Sequence, residues 1–225
     1  ILKNDDLSKT LEPFGFSRKE FSTLEINGES LNMWMIKPAD FDPSKQYPML
    51  MFQYSGPGSQ QVANRWGDQR DLWHKSLANQ GYVIACVDGK GTGFKGAAFK
   101  KATYLNLVKY EALDQIAAAK QLGALPFVDA NRIGIWGWSF GGHMATHCLL
   151  TGNDVFSFGI AVAPVTNWRF YDTIYTERFM RTPQENPEGY DLNSPLNYAD
   201  QLKGKFLIIH GSGDDNVHVQ NTMRM

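Results

Sequence analysis

Gly137-Trp138-Ser139-Phe140-Gly141 places a serine between two glycines. It directly follows the apolar run Arg132-Ile133-Gly134-Ile135-Trp136 and leads through Gly142 into an apolar stretch ending at Leu150. G-x-S-x-G between a strand and a helix is the setting of a nucleophile elbow. The turn forces the serine into a strained backbone conformation, and the flanking glycines remove side chains that would collide there. The hydroxyl then projects at a helix N-terminus, where developing negative charge is favoured, and the Phe140 N–H points to the same place as a natural oxyanion donor. The chemistry is attack by Ser139 on a carbonyl, with a covalent intermediate. Glycines that merely ease a tight strand-to-helix turn would give the same five letters. The strand before, the helix after and Gly142 together favour the catalytic reading.

Such a site needs an acid after a later strand and a histidine after the acid. Phe206-Leu207-Ile208-Ile209-His210 reads as a strand and leads into Gly211-Ser212-Gly213-Asp214-Asp215-Asn216. An acid there stands at the carboxyl end of the sheet, where α/β folds place their sites. Spacing alone leaves Asp214 and Asp215 equivalent. Of the histidines only His218 follows this loop, within a few residues and in an expected helix. His210 reads as a core or strand-end residue and His74 as a helix-surface residue. His143 and His147 have an i,i+4 spacing that could serve a metal, but with no third ligand in sight helix packing is the better reading. No metal and no organic cofactor is expected. None of these histidines suits a general base, which agrees with a chain that ends before the last strand and helix of its fold.

The elements that must position these groups are legible as alternating patterns. Residues 1–18 are polar and weakly periodic, as in a linker arriving from another domain, and residues 19–225 form one domain. Glu20 to Ile26 and Leu31 to Lys37 flank Asn27-Gly28, a hairpin signal. Met49 to Tyr54, Tyr82 to Val87, Ile133 to Trp136, Gly159 to Ala163 and Phe206 to His210 are continuous apolar runs, as in strands covered on both faces. Helical spacing falls in Leu105 to Gly123 and from Phe140 through Leu150. Alternation of strand and helix predicts an α/β fold with a mostly parallel sheet and an N-terminal antiparallel hairpin.

Composition is that of an ordinary globular domain: 225 residues, 43% hydrophobic, 20% charged, formal net charge -1. That charge gives no reason to expect a nucleic-acid or acidic-membrane partner, and no apolar run approaches the ~20 residues of a membrane span. Cys86 and Cys148 sit in apolar segments and read as small buried thiols.

Beyond the general fold, Trp136-Gly137-Trp138-Ser139-Phe140-Gly141-Gly142 closely resembles the nucleophile segment of the dipeptidyl peptidase IV branch of the prolyl oligopeptidase family. The similarity runs from Ile1-Leu2-Lys3-Asn4 to Asp214-Asp215-Asn216-Val217-His218. Tyr54-Ser55-Gly56-Pro57-Gly58-Ser59-Gln60 resembles a family loop, as does Asp88-Gly89-Lys90-Gly91-Thr92-Gly93, with Lys90 in place of the usual arginine. The stretch from Val165 to Arg178 is similar to a long and specific family segment. The resemblance implies an α/β-hydrolase fold, with Ser139 as nucleophile and Asp214 as triad acid. It makes Tyr54 an oxyanion donor beside the Phe140 N–H. Phe140 replaces the family's tyrosine, which leaves the backbone donor intact and alters only a pocket wall. A proline-sized pocket would be lined by Phe140, Val165, Trp168, Tyr171, Tyr175 and Val217, and Asn216 would bind the substrate carbonyl before proline. Without the resemblance, the spacing of Trp168, Tyr171 and Tyr175 would favour ordinary helical core packing, and Tyr54 would read as a strand-end tyrosine.

The resemblance further implies a β-propeller domain upstream carrying paired glutamates for the substrate amino terminus, and a triad histidine about thirty residues after Asp214, beyond Met225. The expected activity of the parent protein is release of N-terminal dipeptides with proline or alanine second, from peptide substrates. A homodimer and a periplasmic, cell-surface or secreted location go with it by family analogy. The 225-residue chain alone is expected to turn over almost no peptide. Rival readings are an endo-acting oligopeptidase or acylaminoacyl-peptidase, and a non-catalytic hydrolase-like binding module.

Overall fold

In the computed structural model, which describes residues 4–67 and 69–225, Asn27 and Gly28 both take positive φ, 51° and 79°. Two such residues in succession make the tight turn whose twist matches a sheet. They join β1 (Glu20–Ile26) to β2 (Glu29–Ile36) as an antiparallel hairpin. The other strands, numbered along the chain, are β3 (Tyr47–Phe52), β4 (Val83–Asp88), β5 (Val128–Trp138), β6 (Phe158–Val162) and β7 (Lys205–Ile209). β2 pairs antiparallel with β4, and every pairing beyond it is parallel, in the order β1-β2-β4-β3-β5-β6-β7. The helices are α1 (Asp5–Leu11), α2 (Gln69–Asn79), α3 (Ala97–Lys101), α4 (Lys109–Gly123), α5 (Phe140–Thr151), α6 (Thr173–Met180), α7 (Pro187–Leu192) and α8 (Gln220–Arg224). This is the α/β-hydrolase arrangement, with the hairpin and mostly parallel sheet that the patterns predict. Within residues 1–18, α1 is capped by Asn4, whose side chain accepts from the Leu7 amide; residues 1–3 lie outside the described residues.

The continuous apolar runs follow from burial on two faces. Met49 and Met51 of β3 point into the larger core with Ile133, Ile135, Met144 and Leu149. Leu50 and Phe52 point the other way, onto Trp34, Ile84, Trp136 and Ala78 of α2. Each side chain of this size contributes ~1.5–3 kcal/mol on full burial. Cys86 and Cys148 are buried and free.

Three expectations need correction. His74, read as a helix-surface residue, is fully buried, because the inner face of α2 carries it among Trp34, Phe52 and Trp136, where it accepts from the Trp136 indole N–H at 3.1 Å. The helix read from Leu105 begins only at Lys109, since Leu105 and Val108 have φ of 67° and 85°, which a helix interior does not admit. β7 is not covered on both faces: Leu207 and Ile209 are 52% and 48% exposed, and no described element packs over that side of this outer strand.

One buried acid sets a pH dependence. Glu111, in the first turn of α4, is fully buried. Burial raises its pKa to about 8, against the opposing pull of first-turn amides, and Asp114 adds to the rise. The folded protein therefore holds this proton at pH values where the unfolded chain has released it, so stability falls as pH climbs from about 4.5 through 8. Glu111→Gln is expected to gain in Tm relative to wild type over that window and to level off above it. Melting curves from pH 5 to 9 check this; a wild-type-minus-variant Tm difference that does not change with pH contradicts it.

Candidate active site

Strand β5 runs straight into α5, and the residue at the junction is Ser139, with φ 58° and ψ -115°. A non-glycine residue there stores about 1–3 kcal/mol of strain, which persists only where the surroundings enforce it. They do: the Ser139 amide donates to the Val162 carbonyl of β6 at 2.8 Å, and the Ser139 carbonyl accepts from the His143 amide at 3.0 Å. A Cβ on Gly141 would lie 2.7 Å from the Gln53 carbonyl oxygen, and one on Gly142 would lie 2.8 Å from that of Val162. Hence the elbow tolerates no larger residue at these positions. The Phe140 amide, in the first turn of α5, has no intrahelical acceptor and is free to serve an oxyanion.

The loop after β3 brings Tyr54 to the same place, because β3 is hydrogen-bonded to β5 along its length. The strand order turns back here, with β4 on one side of β3 and β5 on the other, which opens a crevice at their carboxyl ends. Gln53, buried at the end of β3, donates its side-chain amide to the Gly141 carbonyl at 2.8 Å and so fastens the tyrosine loop to the elbow. Gly56 lets the Tyr54 ring lie against the backbone, since a Cβ there would be 2.6 Å from Tyr54 Cε1. The loop is also stitched to the Asp88–Gly93 loop: Gly58 N–H donates to Gly91 O at 2.8 Å and Gly93 N–H to Ser59 O at 2.9 Å. Asp88 accepts from the Gln61 and Val62 amides. Lys90 is held by the buried Asp114, which accepts from both its backbone N–H and its ammonium. Partial burial pushes the Tyr54 phenol pKa upward, partly offset by its hydrogen bond with the Ser139 hydroxyl. The phenol therefore stays protonated and able to donate.

Asp214 follows β7, two strands from the elbow on the same edge. Its Oδ1 accepts from the backbone N–H of Asn216 at 3.0 Å and of Val217 at 2.9 Å. Asp215, which spacing could not separate from it, is exposed and makes no such bonds among the described residues. Asn216 turns its Oδ1 to the Tyr171 hydroxyl, which donates at 2.8 Å. Its side-chain N–H groups are thereby left available to donate.

The aromatic side chains named for the pocket converge. Phe140 and Trp168 ring centroids are 5.4 Å apart, Trp168 and Tyr175 6.0 Å, Tyr171 and Tyr175 5.4 Å, and Tyr54 and Phe140 6.0 Å. Phe140, Val165, Trp168 and Val217 are buried, while Tyr54, Tyr171 and Tyr175 are half-buried. Trp168, Tyr171 and Tyr175 do not share one helix. Trp168 opens a 3-10 turn, Tyr171 is extended, and Tyr175 lies in α6, whose N-cap Asp172 accepts from the Tyr175 amide. Beneath the wall, Thr166 N–H donates to Asn221 Oδ1 at 2.9 Å and Ser194 Oγ donates to Thr166 O at 2.7 Å. A buried polar network therefore fixes Val165 and Trp168.

The histidines take other places. His143 donates from Nε2 to the Asn193 carbonyl at 2.8 Å and stacks on Trp168 at 5.1 Å. Burial lowers the pKa of His143 to about 3 and of His147 to about 4, as for rings packed neutral under the wall. His218 is not in a helix but in the exposed stretch before α8, which begins only at Gln220. His210 stands at the strand end, as read. Gln53 and His210 are structural parts of the site that the sequence does not mark as such. A lone polar residue ending an apolar run is the only signal for either.

An α/β-hydrolase domain with a strained serine elbow at the carboxyl edge of its sheet is thus in place. Residues 69–225 match the model of the prolyl oligopeptidase family, and the chain belongs to that family. It is 53% identical to the Porphyromonas gingivalis dipeptidyl peptidase 4 of known crystal structure, with a TM-score of 0.95, covering 100% of this chain and 32% of that one. It is 46% identical over 228 residues to a Coccidioides posadasii protein named "Probable dipeptidyl-aminopeptidase B", covering 100% of this chain and 24% of the relative. An Emericella nidulans protein of the same name is 44% identical, with 25% of its length covered. The chain spans about a quarter of the length of these curated relatives.

Proposed function

We propose that this chain supplies the nucleophile, oxyanion donors, acid and proline pocket of a serine exopeptidase that releases N-terminal dipeptides with proline or alanine second. The observation that carries the reading is the joining of the ring cluster to Asn216 beside a strained serine. Proline is a compact apolar ring whose nitrogen has no hydrogen once acylated, so a close aromatic box selects it. Asn216 would donate to the carbonyl before proline. Ser139 Oγ then attacks the carbonyl carbon of the proline itself, and the Phe140 N–H and Tyr54 O–H stabilise the oxyanion. Collapse expels the amine and leaves an ester on Ser139, which water hydrolyses by the reverse path. The proton moves through a histidine held by Asp214. We place that histidine, as the family resemblance implies, in a segment beyond residue 225, and the amine-gripping glutamates in a segment before residue 1.

The test compares, in the full-length protein, hydrolysis of a chromogenic Gly-Pro amide bearing a free amino terminus with the same compound N-blocked. Cleavage confined to the free form is expected. Preference for the blocked form moves the protein to an endopeptidase or acylpeptidase, and cleavage of neither removes the proline-box reading.

A further inference from the structure

The loop from Gly211 to Val217 carries Asp214, Asn216 and Val217, yet little of it packs. Gly211 and Gly213 have open space around them, and every residue from Gly211 to Asn216 except Asp214 is exposed. The bonds from Asp214 to Asn216 and Val217 fix the shape of this turn, not its place on the sheet. Among the described residues its external fastenings are the Tyr171 hydroxyl on Asn216, the buried Val217 side chain, and His210. His210 directly follows β7, which is anchored to the neighbouring strand by Ala163 N–H donating to Ile209 O at 2.7 Å. The His210 side chain is 2% exposed. Its Nε2 is 2.7 Å from the Val217 carbonyl oxygen and its Nδ1 2.6 Å from Thr222 Oγ1. A carbonyl only accepts, so Nε2 carries the hydrogen and donates, and Nδ1 accepts from the Thr222 hydroxyl. The same Nε2 lies 3.6 Å from Asp214 Oδ2.

We propose that His210 is a positioning residue of the active site. Its ring spans the mouth of the acid loop, from the strand end to Val217 and Thr222, and sets where Asp214 and Asn216 stand. This rests on the function proposed above. A displacement of about 1 Å in a catalytic constellation costs on the order of a hundredfold in rate, so a ring that fixes the loop acts on kcat through Asp214 and on KM through Asn216.

The test uses the full-length protein and the free-amino Gly-Pro amide. His210→Leu is expected to lower kcat by about ten- to a hundredfold and to raise KM. His210→Gln, whose amide can donate to Val217 and accept from Thr222, is expected to recover most of the loss at a Tm equal to that of the leucine variant. In an Asp214→Asn background His210→Leu is expected to add little, because its main target is already gone. Thr222→Val, a milder change that keeps the fold if the leucine variant does not, is expected to lower kcat by a smaller factor at unchanged Tm. Wild-type kcat in His210→Leu or in a folded Thr222→Val, no recovery by glutamine, or a full additive loss beside Asp214→Asn would overturn the inference. Ser139→Ala assayed in parallel separates the two levels. If it stays active, the proposed function fails; if it is inactive while His210→Leu equals wild type, only the role of His210 fails.

Discussion

Ser139→Ala in the full-length protein is expected to lower kcat/KM for the free-amino Gly-Pro amide by at least about ten-thousandfold, with Tm unchanged or raised. Losing a triad nucleophile costs rates of this order even where the oxyanion donors and binding pocket survive. The expected direction of the stability effect comes from the backbone. Backbone hydrogen bonds to Val162 and His143 hold position 139 at φ 58°, and alanine pays no more for that angle than serine while removing a hydroxyl from a half-buried site. Binding of a product such as Gly-Pro, followed by calorimetry, is expected to persist in the variant because the ring cluster is untouched. Turnover within about tenfold of wild type would remove Ser139 from the chemistry.

Asp214→Asn is expected to cost about a thousand- to ten-thousandfold in kcat with little change in KM. The side-chain oxygen of asparagine can still accept from the Asn216 and Val217 amides, so the turn keeps its shape. What changes is the other atom: an N–H₂ group replaces the oxygen that would orient and stabilise a protonated imidazole. Asp215→Asn is the matched control. Its carboxylate is exposed, and a change of less than about twofold is expected, in keeping with surface substitutions generally. Equal losses at the two positions would contradict the assignment of the acid.

Much of this site is written in short-range patterns. The elbow is legible because strand, glycine-flanked serine and helix are contiguous, and local geometry alone dictates where Ser139 points. The hairpin at Asn27-Gly28 is legible for the same reason. The aromatic wall is not: Trp168, Tyr171 and Tyr175 mimic one helical face, and only the chain bend between the 3-10 turn and α6 gathers them into a cluster. His74 misled because α2 is mostly polar, with only His74 and Ala78 of its residues fully buried. Gln53 and His210 depend on contacts with residues 88 and 7 to 12 positions away, and residue type alone does not announce those. β7 departed from the expected two-sided burial because an apolar run records what a strand can bury, not what lies over it.

The most direct measurement treats the active full-length protein with a free-amino Gly-Pro phosphonate ester, which captures a reactive serine as a stable covalent adduct, and locates the adduct by peptide mapping. A stoichiometric adduct on Ser139, formed in step with loss of activity and absent from Ser139→Ala, is the predicted result. An adduct on another residue, or loss of activity with Ser139 left unmodified, would contradict it.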